Sequence, residues 1–176
     1  MNKYIMGVDC GFVAMGVVIL QNGKIVDACS VMTEPEKKKR KIRKSDDDAA
    51  RCEKLATGLN RIIQIYHPCV MFVELPSAGA KSARAAHSMG MSKGIIASVA
   101  TLLNVPTSYY LPHDSKEATC GAKDASKEAV EAVVRKQFPD TKWPETKGEA
   151  EHCFDAAAVL IAAQSDPLYK MAIAND

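Results

Sequence analysis

Short apolar runs separated by turn residues open the chain and predict β-strands. Tyr4–Val8 and Met15–Leu20 are two such runs, and the pair Asn22-Gly23 follows the second. An Asn-Gly pair between two strand-like runs is typical of a tight hairpin, because both turn residues must accept a positive φ. A third run at about residues 25–32 completes an antiparallel meander of three strands.

Beyond about residue 50, apolar residues recur at spacings of three and four, which is typical of helices. This spacing predicts a helix with an apolar face from Cys52 to Tyr66 and further helices at about 81–103, 126–138 and 149–163, with two more strands at 69–73 and 107–111. A meander followed by alternating helices and strands predicts an α/β fold with a mixed five-stranded sheet flanked by helices. In such a fold the C-terminal ends of the strands meet along one rim, where functional side chains collect.

One predicted helix carries a stripe of small residues, with Gly90, Gly94 and Ser98 four residues apart. Small residues at this spacing let another helix approach closely. The approaching helix can belong to the same chain or to a second copy, and the sequence leaves both alternatives open.

A dense run of charge interrupts the pattern between the third strand and the first helix. It contains seven basic residues, which are Lys37, Lys38, Lys39, Arg40, Lys41, Arg43 and Lys44. Because like charges repel, we expect a mobile loop at about 34–48, with Ser45 or one of the following aspartates capping the next helix. A phosphate-binding arm, an import-type signal and a solvated loop all remain open, and the charge density favours the first.

Composition limits the class of protein. The chain has 176 residues, of which 47% are hydrophobic, so we expect a single domain spanning residues 1–176. No apolar run approaches the roughly 20 residues of a membrane span, and no signal-type region opens the chain. We therefore expect a cytoplasmic protein without membrane contact, whose six scattered cysteines are reduced thiols.

The formal net charge of +2 hides an uneven distribution of charge. Residues 37–44 hold seven of the 23 basic side chains, so the rest of the chain carries 16 basic against 21 acidic residues, a net charge of −5. The near-neutral average therefore does not exclude a nucleic-acid partner.

Two acidic residues end predicted strands at the rim. Asp9 follows the first strand, and Glu74 follows the buried run at 69–73. Taken alone, an aspartate in the first position is most often a turn former. A carboxylate at the edge of a core needs a cation, a donor or a metal, so both a salt bridge and a metal site remain open for Glu74.

A third acidic group lies on the last predicted helix. A favourable interaction with the helix dipole explains Glu149 and Glu151 near its start. That interaction does not explain His152 and Asp155, which are three residues apart and therefore share one face of the helix.

Together, Asp9, Glu74 and Asp155 on one rim would gather hard oxygen ligands of the kind that bind Mg²⁺ or Mn²⁺. Two such ions about 3.5–4 Å apart can activate a water molecule and stabilise the leaving oxygen of a phosphodiester. His152 would add a further ligand or carry a proton, because imidazole titrates near neutral pH.

Three segments of the chain resemble the metal-site motifs of RuvC-type Holliday junction resolvases. They are Ile5-Met6-Gly7-Val8-Asp9-Cys10-Gly11, Phe72-Val73-Glu74 and His152-Cys153-Phe154-Asp155-Ala156-Ala157. Residues 82–100 are similar to the long helix of that family, and residues 115–127 are similar to its segment with two functional lysines. The resemblance covers about residues 3–163, and the motifs follow one another in the family's order.

The resemblance implies an RNase H-like fold and a homodimer that resolves four-way DNA junctions by paired nicks. By position, the metal ligands would be Asp9, Glu74, His152 and Asp155, which would bind Mg²⁺, and Mn²⁺ can substitute for it. Lys116 would lie near the scissile phosphate, and Lys127 would contact the DNA backbone. A fixed lysine can stabilise the negative charge of the transition state, although outside the motif both would be ordinary exposed lysines.

Two positions depart from the family pattern. Cys10 stands where proline is common, and Ser77 stands where some members carry an aromatic residue near the junction centre, which weakens the case for a stacking wedge. The alternatives are a broader debranching nuclease of a phage, a junction-binding protein without catalysis, and an ASKHA-type phosphate-binding ATPase. The ATPase needs a second domain for which 176 residues leave no space. A protein without catalysis would not explain three mutually repelling carboxylates.

Overall fold

The computed structural model describes residues 3–35, 42–76 and 79–174, and a mixed five-stranded sheet forms its centre. The strands are β1 (Ile5–Asp9), β2 (Ala14–Gln21), β3 (Lys24–Met32), β4 (Val70–Glu74) and β5 (Thr107–Tyr110). They lie in the order β3-β2-β1-β4-β5, with antiparallel pairing among the first three strands and parallel pairing from β1 to β4 and from β4 to β5. The predicted mixed sheet is confirmed, and the hairpin turn has positive φ at Asn22 (49°) and Gly23 (76°) as expected.

Helices cover both faces of this sheet. Within the described residues they are α1 (Lys44–Tyr66), α2 (Ala83–Leu102), α3 (Pro112–Cys120), α4 (Lys127–Gln137), α5 (Lys147–Ala162) and α6 (Pro167–Ile173). The four helices predicted from apolar spacing are present with small shifts at their ends. Helices α3 and α6 are not predicted from the sequence, because helices of nine and seven residues are too short to show a clear apolar period.

Strand alternation divides the core into two layers. Met6 and Val8 of β1 pack with α1 and α2, whereas Ile5 faces the layer that contains α4, α5 and α6. Because successive side chains of a strand point to opposite faces, Asp9 lies on the α5 side. Phe72 of β4 also lies in the α5 layer, so Glu74 two residues later is on that side as well.

Two glycines allow α5 to lie directly on the sheet. A side chain at Gly7 of β1 would place its Cβ 2.3 Å from the Ala156 carbonyl oxygen. A side chain at Gly16 of β2 would place its Cβ 2.1 Å from the His152 carbonyl oxygen. Only glycine fits this approach of helix backbone to strand backbone, and the approach sets the depth of α5.

The predicted loop at 34–48 is too long at its C-terminal end. Helix α1 already begins at Lys44, its N-cap is Arg43, and no side chain caps it, so the expected cap by Ser45 or an aspartate is wrong. Ion pairs from Arg43 to Asp46 and from Lys44 to Asp47 join residues three apart, and both aspartates favour the helix dipole. Residues 36–41, with Lys37, Lys38, Lys39, Arg40 and Lys41, lie outside the described residues.

A buried arginine ties the start of α1 to the loop that follows β1. Arg51 donates to the Thr33 hydroxyl at 3.1 Å and to the Phe12 carbonyl oxygen at 3.3 Å, and its guanidinium lies 4.2 Å from the centre of the Phe12 ring. The Thr33 hydroxyl donates to the same carbonyl oxygen at 2.6 Å. The end of β3 and the start of α1 therefore both lie at the rim that carries Asp9.

All six cysteines are free thiols. Burial raises the pKa of Cys10 and Cys153 to about 11 and that of Cys29 to about 12, so these three are thiols without nucleophilic character near neutral pH. None of the described helices has the length and apolar character that a membrane crossing requires.

Candidate active site

Strand register brings the first two carboxylates together. Asp9 of β1 pairs with Glu74 of β4 in the parallel register, and the Cys10 N–H donates to the Glu74 carbonyl oxygen at 3.0 Å. Neighbouring strands lie about 4.8 Å apart, and both side chains point to the α5 face. Asp9 and Glu74 therefore lie side by side at one rim of the sheet, as predicted.

Helix α5 brings His152 to the same place. Its backbone rests on Gly16, and Gly16 is the register partner of Asp9 across β1 and β2. His152 Nδ1 consequently lies 2.6 Å from Asp9 Oδ2, with 30% of the His152 side chain and 16% of the Asp9 side chain exposed. This hydrogen bond is the main cause that raises the pKa of His152, while burial opposes it. The contact with Asp9 thus favours the protonated form of the imidazole.

Glu74 is the most strongly perturbed carboxyl at the site. Burial raises its pKa to about 8; the Ser115 hydroxyl and the Lys116 ammonium lower it, and the negative charges of Asp9 and Asp155 raise it further. No lysine or arginine of the described residues forms an ion pair with Glu74. The salt-bridge explanation that the sequence left open is therefore not observed in that part of the chain.

Asp155 completes the group of carboxylates. Burial raises its pKa to about 6, and the charge of Asp9 adds to the rise, whereas Lys127, His152 and Lys116 oppose it. The Asp155 carboxyl is thus within electrostatic range of Asp9 and of both lysines singled out in the sequence.

The two lysines approach the site from different helices. Lys116 lies in α3 and lowers the pKa of Glu74 and Asp155. Lys127 is the first residue of α4 and forms an ion pair with Glu151 of α5, with 58% and 32% of the two side chains exposed. Both cations therefore border the carboxylates.

The side chains at the rim do not form a complete metal-binding site. Among residues 3–35, 42–76 and 79–174, no three histidine, cysteine, aspartate or glutamate side chains are grouped so that they could hold a metal ion. Asp9 and His152 instead contact each other. The donor types nevertheless suit a divalent cation, because three carboxylates and an imidazole lie at the same rim, and burial, followed by the neighbouring negative charges, raises the pKa of Glu74 and Asp155.

The described part of the basic block makes only local contacts. Arg43 and Lys44 are exposed and form ion pairs within the first turn of α1. DNA binding by the basic block therefore stays a prediction.

A comparison with protein families agrees with this geometry. The family model described as crossover junction endodeoxyribonuclease RuvC matches residues 5–163. The chain belongs to the RuvC family.

Relatives within the RuvC family match most of the chain. It is 30% identical over 162 residues to RuvC of Natranaerobius thermophilus, covering 89% of this chain and 91% of that protein. It is 29% identical over 161 residues to RuvC of Citrifermentans bemidjiense, covering 89% of each.

Two solved structures share the fold. The structure of Thermus thermophilus RuvC in complex with a Holliday junction substrate has a TM-score of 0.73 at 20% identity, covering 91% of this chain and 92% of that one. The yeast mitochondrial Holliday junction resolvase has a TM-score of 0.61 at 12% identity, covering 98% and 81%. The predicted RNase H-like fold is thereby confirmed.

Sequence reasoning missed several residues that shape the site of this RuvC-family chain. Gly7 and Gly16 interrupt apolar strands, and an isolated glycine in a strand is a recognisable sign of close backbone approach. Glu151 does more than favour the helix dipole, because it also pairs with Lys127. Nothing in the sequence distinguished Ser115, because its importance depends on burial.

Proposed function

We propose that the chain is a metal-dependent, structure-selective endonuclease that resolves Holliday junctions by paired phosphodiester nicks in DNA recombination and repair. The observation that carries this proposal is the convergence of Asp9, Glu74 and Asp155 at one rim, with His152 and two lysines beside them, in a member of the RuvC family. A DNA substrate also supports the expectation of a cytoplasmic protein.

The metal ligands in this proposal are Asp9, Glu74, His152 and Asp155. When bound, Mg²⁺ or Mn²⁺ supplies Lewis-acid activation of the phosphodiester and of the attacking water. Asp9 and Glu74 stand on neighbouring strands, whose hydrogen bonds limit their relative movement. His152 can hold a proton beside Asp9 at a distance of 2.6 Å, or release it to become a neutral ligand.

The cations at the site act on the DNA. Lys116, close to Glu74 and Asp155, is positioned to stabilise charge that develops on the scissile phosphate. Lys127, which also lowers the pKa of Asp155, is positioned to contact the DNA backbone once it exchanges Glu151 for a phosphate.

The basic block adds a second phosphate contact in this proposal. Its members are Lys37, Lys38, Lys39, Arg40, Lys41, Arg43 and Lys44. Strand β3 ends and α1 begins at the rim of Asp9, which supports an arm that reaches DNA held at the site. Contacts of this kind raise affinity without selecting sequence.

We also propose that residues 1–176 form one domain that acts as a homodimer. The described helices pack on the two faces of one sheet, which supports a single domain. On α2, a Cβ at Gly90 or Gly94 would meet nothing within 4 Å, so no helix of the described chain occupies that stripe. The stripe is therefore available to a second copy, and two copies would supply the two sites that paired nicks require. Sedimentation at micromolar concentration should show a dimer, and a monomer would contradict this part of the proposal.

A nicking assay tests the proposed activity. Four-way, three-way, flap and linear duplex DNA are compared with Mg²⁺, with Mn²⁺ and with chelator. We expect paired nicks in the four-way junction only with a divalent ion. Comparable cleavage of the three-way and flap substrates would instead favour the broader debranching nuclease.

Variants connect the activity to the site. Asp9→Asn and Glu74→Gln should abolish cleavage while leaving junction binding intact, whereas Asp140→Asn is a matched control, since its carboxylate is 81% exposed and pairs with Lys24. Nicking at the wild-type rate in either site variant would refute the assignment. Binding without any cleavage by the wild-type protein would favour a junction-binding protein.

A further inference from the structure

Ser115 is a buried polar residue whose hydroxyl the described fold does not satisfy. Its exposure is 0%, and its Oγ atom has no hydrogen-bond partner among residues 3–35, 42–76 and 79–174. A buried hydroxyl without a partner weakens a fold, and native proteins contain few of them. A hydroxyl of this kind beside a proposed active site therefore needs a functional explanation.

The position of Ser115 follows from the register of the last two strands. Tyr110 ends β5 and pairs with Glu74, and the Leu75 N–H donates to the Tyr110 carbonyl oxygen at 2.8 Å. Helix α3 begins two residues later at Pro112, so its early turns lie at the rim next to Glu74. Ser115 is thus carried to the carboxylates by the same element that carries Lys116.

The Ser115 hydroxyl is a neighbour of the Glu74 carboxyl. It is close enough to lower the pKa of Glu74 against the effect of burial, yet the two groups do not reach hydrogen-bond geometry. The described residues offer Glu74 no ion pair. The Ser115 hydroxyl, which lacks an acceptor, and the buried Glu74 carboxyl, which lacks an ion-pair partner among the described residues, therefore lie side by side.

We propose that Ser115 is a positioning residue whose hydroxyl donates to the Glu74 carboxylate and holds it in the orientation that binds a divalent ion. This inference rests on the proposed role of Glu74 as a metal ligand. A carboxylate has two oxygens, so one can bind the ion while the other accepts from the hydroxyl. Partners of this kind orient metal ligands and typically change metal affinity about 10–100-fold when removed.

A purely structural role predicts the opposite effect on stability. If the hydroxyl contributed to the fold, Ser115→Ala would lower the free energy of unfolding. If the hydroxyl is unsatisfied until a metal binds, Ser115→Ala should leave that free energy unchanged or raise it, because alanine fits the same space without an unpaired donor.

The experiment compares Ser115→Ala with Thr119→Val in the full chain. Thr119 lies one turn further along α3, and its hydroxyl donates to the Ala158 carbonyl oxygen at 3.5 Å, away from Glu74. Unfolding by urea is measured in chelator, Mn²⁺ binding to the DNA-free protein is measured by calorimetry, and junction cleavage is titrated with Mn²⁺.

For Ser115→Ala we expect unchanged or higher stability in chelator, with the Mn²⁺ dissociation constant and the Mn²⁺ midpoint for cleavage both raised about 10–100-fold. Thr119→Val should keep both metal constants. Wild-type metal constants in Ser115→Ala would overturn the inference, and so would a clear loss of stability in chelator. Either result leaves the proposed function standing as long as Glu74→Gln abolishes cleavage, whereas active Glu74→Gln would remove the proposed function and this inference together.

Discussion

The close approach of α5 to the sheet makes Gly16→Ala a sharp test of how the site is built. The added methyl carbon would lie 2.1 Å from the His152 carbonyl oxygen and 2.8 Å from the His152 Cβ, whereas ordinary contact begins near 3.4 Å. The first contact joins backbone to backbone, so no side-chain rotation can relieve it. Helix α5 must therefore withdraw by about 1.3 Å at this point.

The withdrawal should damage activity far more than stability. It moves His152 and Asp155 away from Asp9, and a displacement of about 1 Å in a catalytic group can cost roughly 100-fold in rate. Overpacking of a core costs about 1–3 kcal/mol, while domains of this kind are stable by about 5–15 kcal/mol. Gly16→Ala should therefore remain folded and nick a four-way junction about 100-fold more slowly at saturating Mg²⁺.

Two measurements separate the local shift from general unfolding. Trp143 is the single tryptophan, and its ring lies 4.8 Å from the ring of Phe154 on α5, so its fluorescence reports the packing of that helix. Single-turnover nicking gives the rate. Gly148→Ala is the matched control, because a Cβ there meets nothing within 4 Å, and it should leave both signals unchanged. Wild-type nicking by Gly16→Ala would refute the reasoning that the depth of α5 sets the site.

Three further predictions address charge. In chelator, the free energy of unfolding should fall as the pH rises from about 4.5 to about 8, because the folded state keeps Glu74 protonated while the unfolded chain ionises. The raised pKa values of Asp155 and His152 add a fall of the same sign. Glu74→Gln should therefore reduce the slope, and an unchanged dependence of urea unfolding on pH in this variant would contradict the prediction. Neutralising the seven basic residues of 37–44 should make junction binding less dependent on salt. The slope of the logarithm of the binding constant against the logarithm of the salt concentration should become shallower by about 0.9 for each lost phosphate contact. An unchanged slope would show that the block is a solvated loop. Glu151→Gln should raise junction affinity in chelator about two- to fivefold by releasing Lys127. Glu131→Gln, which breaks the ion pair with Arg135, is the control. Equal affinities of Glu151→Gln and the wild-type protein would show that the Lys127–Glu151 pair does not compete with DNA.

Local patterns in the sequence were sufficient for most of the fold. The Asn22-Gly23 turn, the long helices and the strands ending in Asp9 and Glu74 follow from rules that act over a few residues. Turn chemistry and apolar period are properties of a short segment, so they can be recognised without knowledge of the rest of the chain. The short helix α3 was not predicted because few residues define it. The first turn of α1 was not predicted because it depends on ion pairs between residues three apart.

Tertiary structure decided how these elements form a site. A slip of one residue between β1 and β4 would turn Glu74 to the opposite face from Asp9, and only the assembled sheet sets that register. The contact between His152 and Asp9 depends on Gly16, and the raised pKa of Glu74 depends on burial by neighbouring elements. The sequence by itself therefore determined which chemical groups the protein carries. Packing and desolvation between residues distant in the chain decided their separations and charge states, because both are properties of the assembled core.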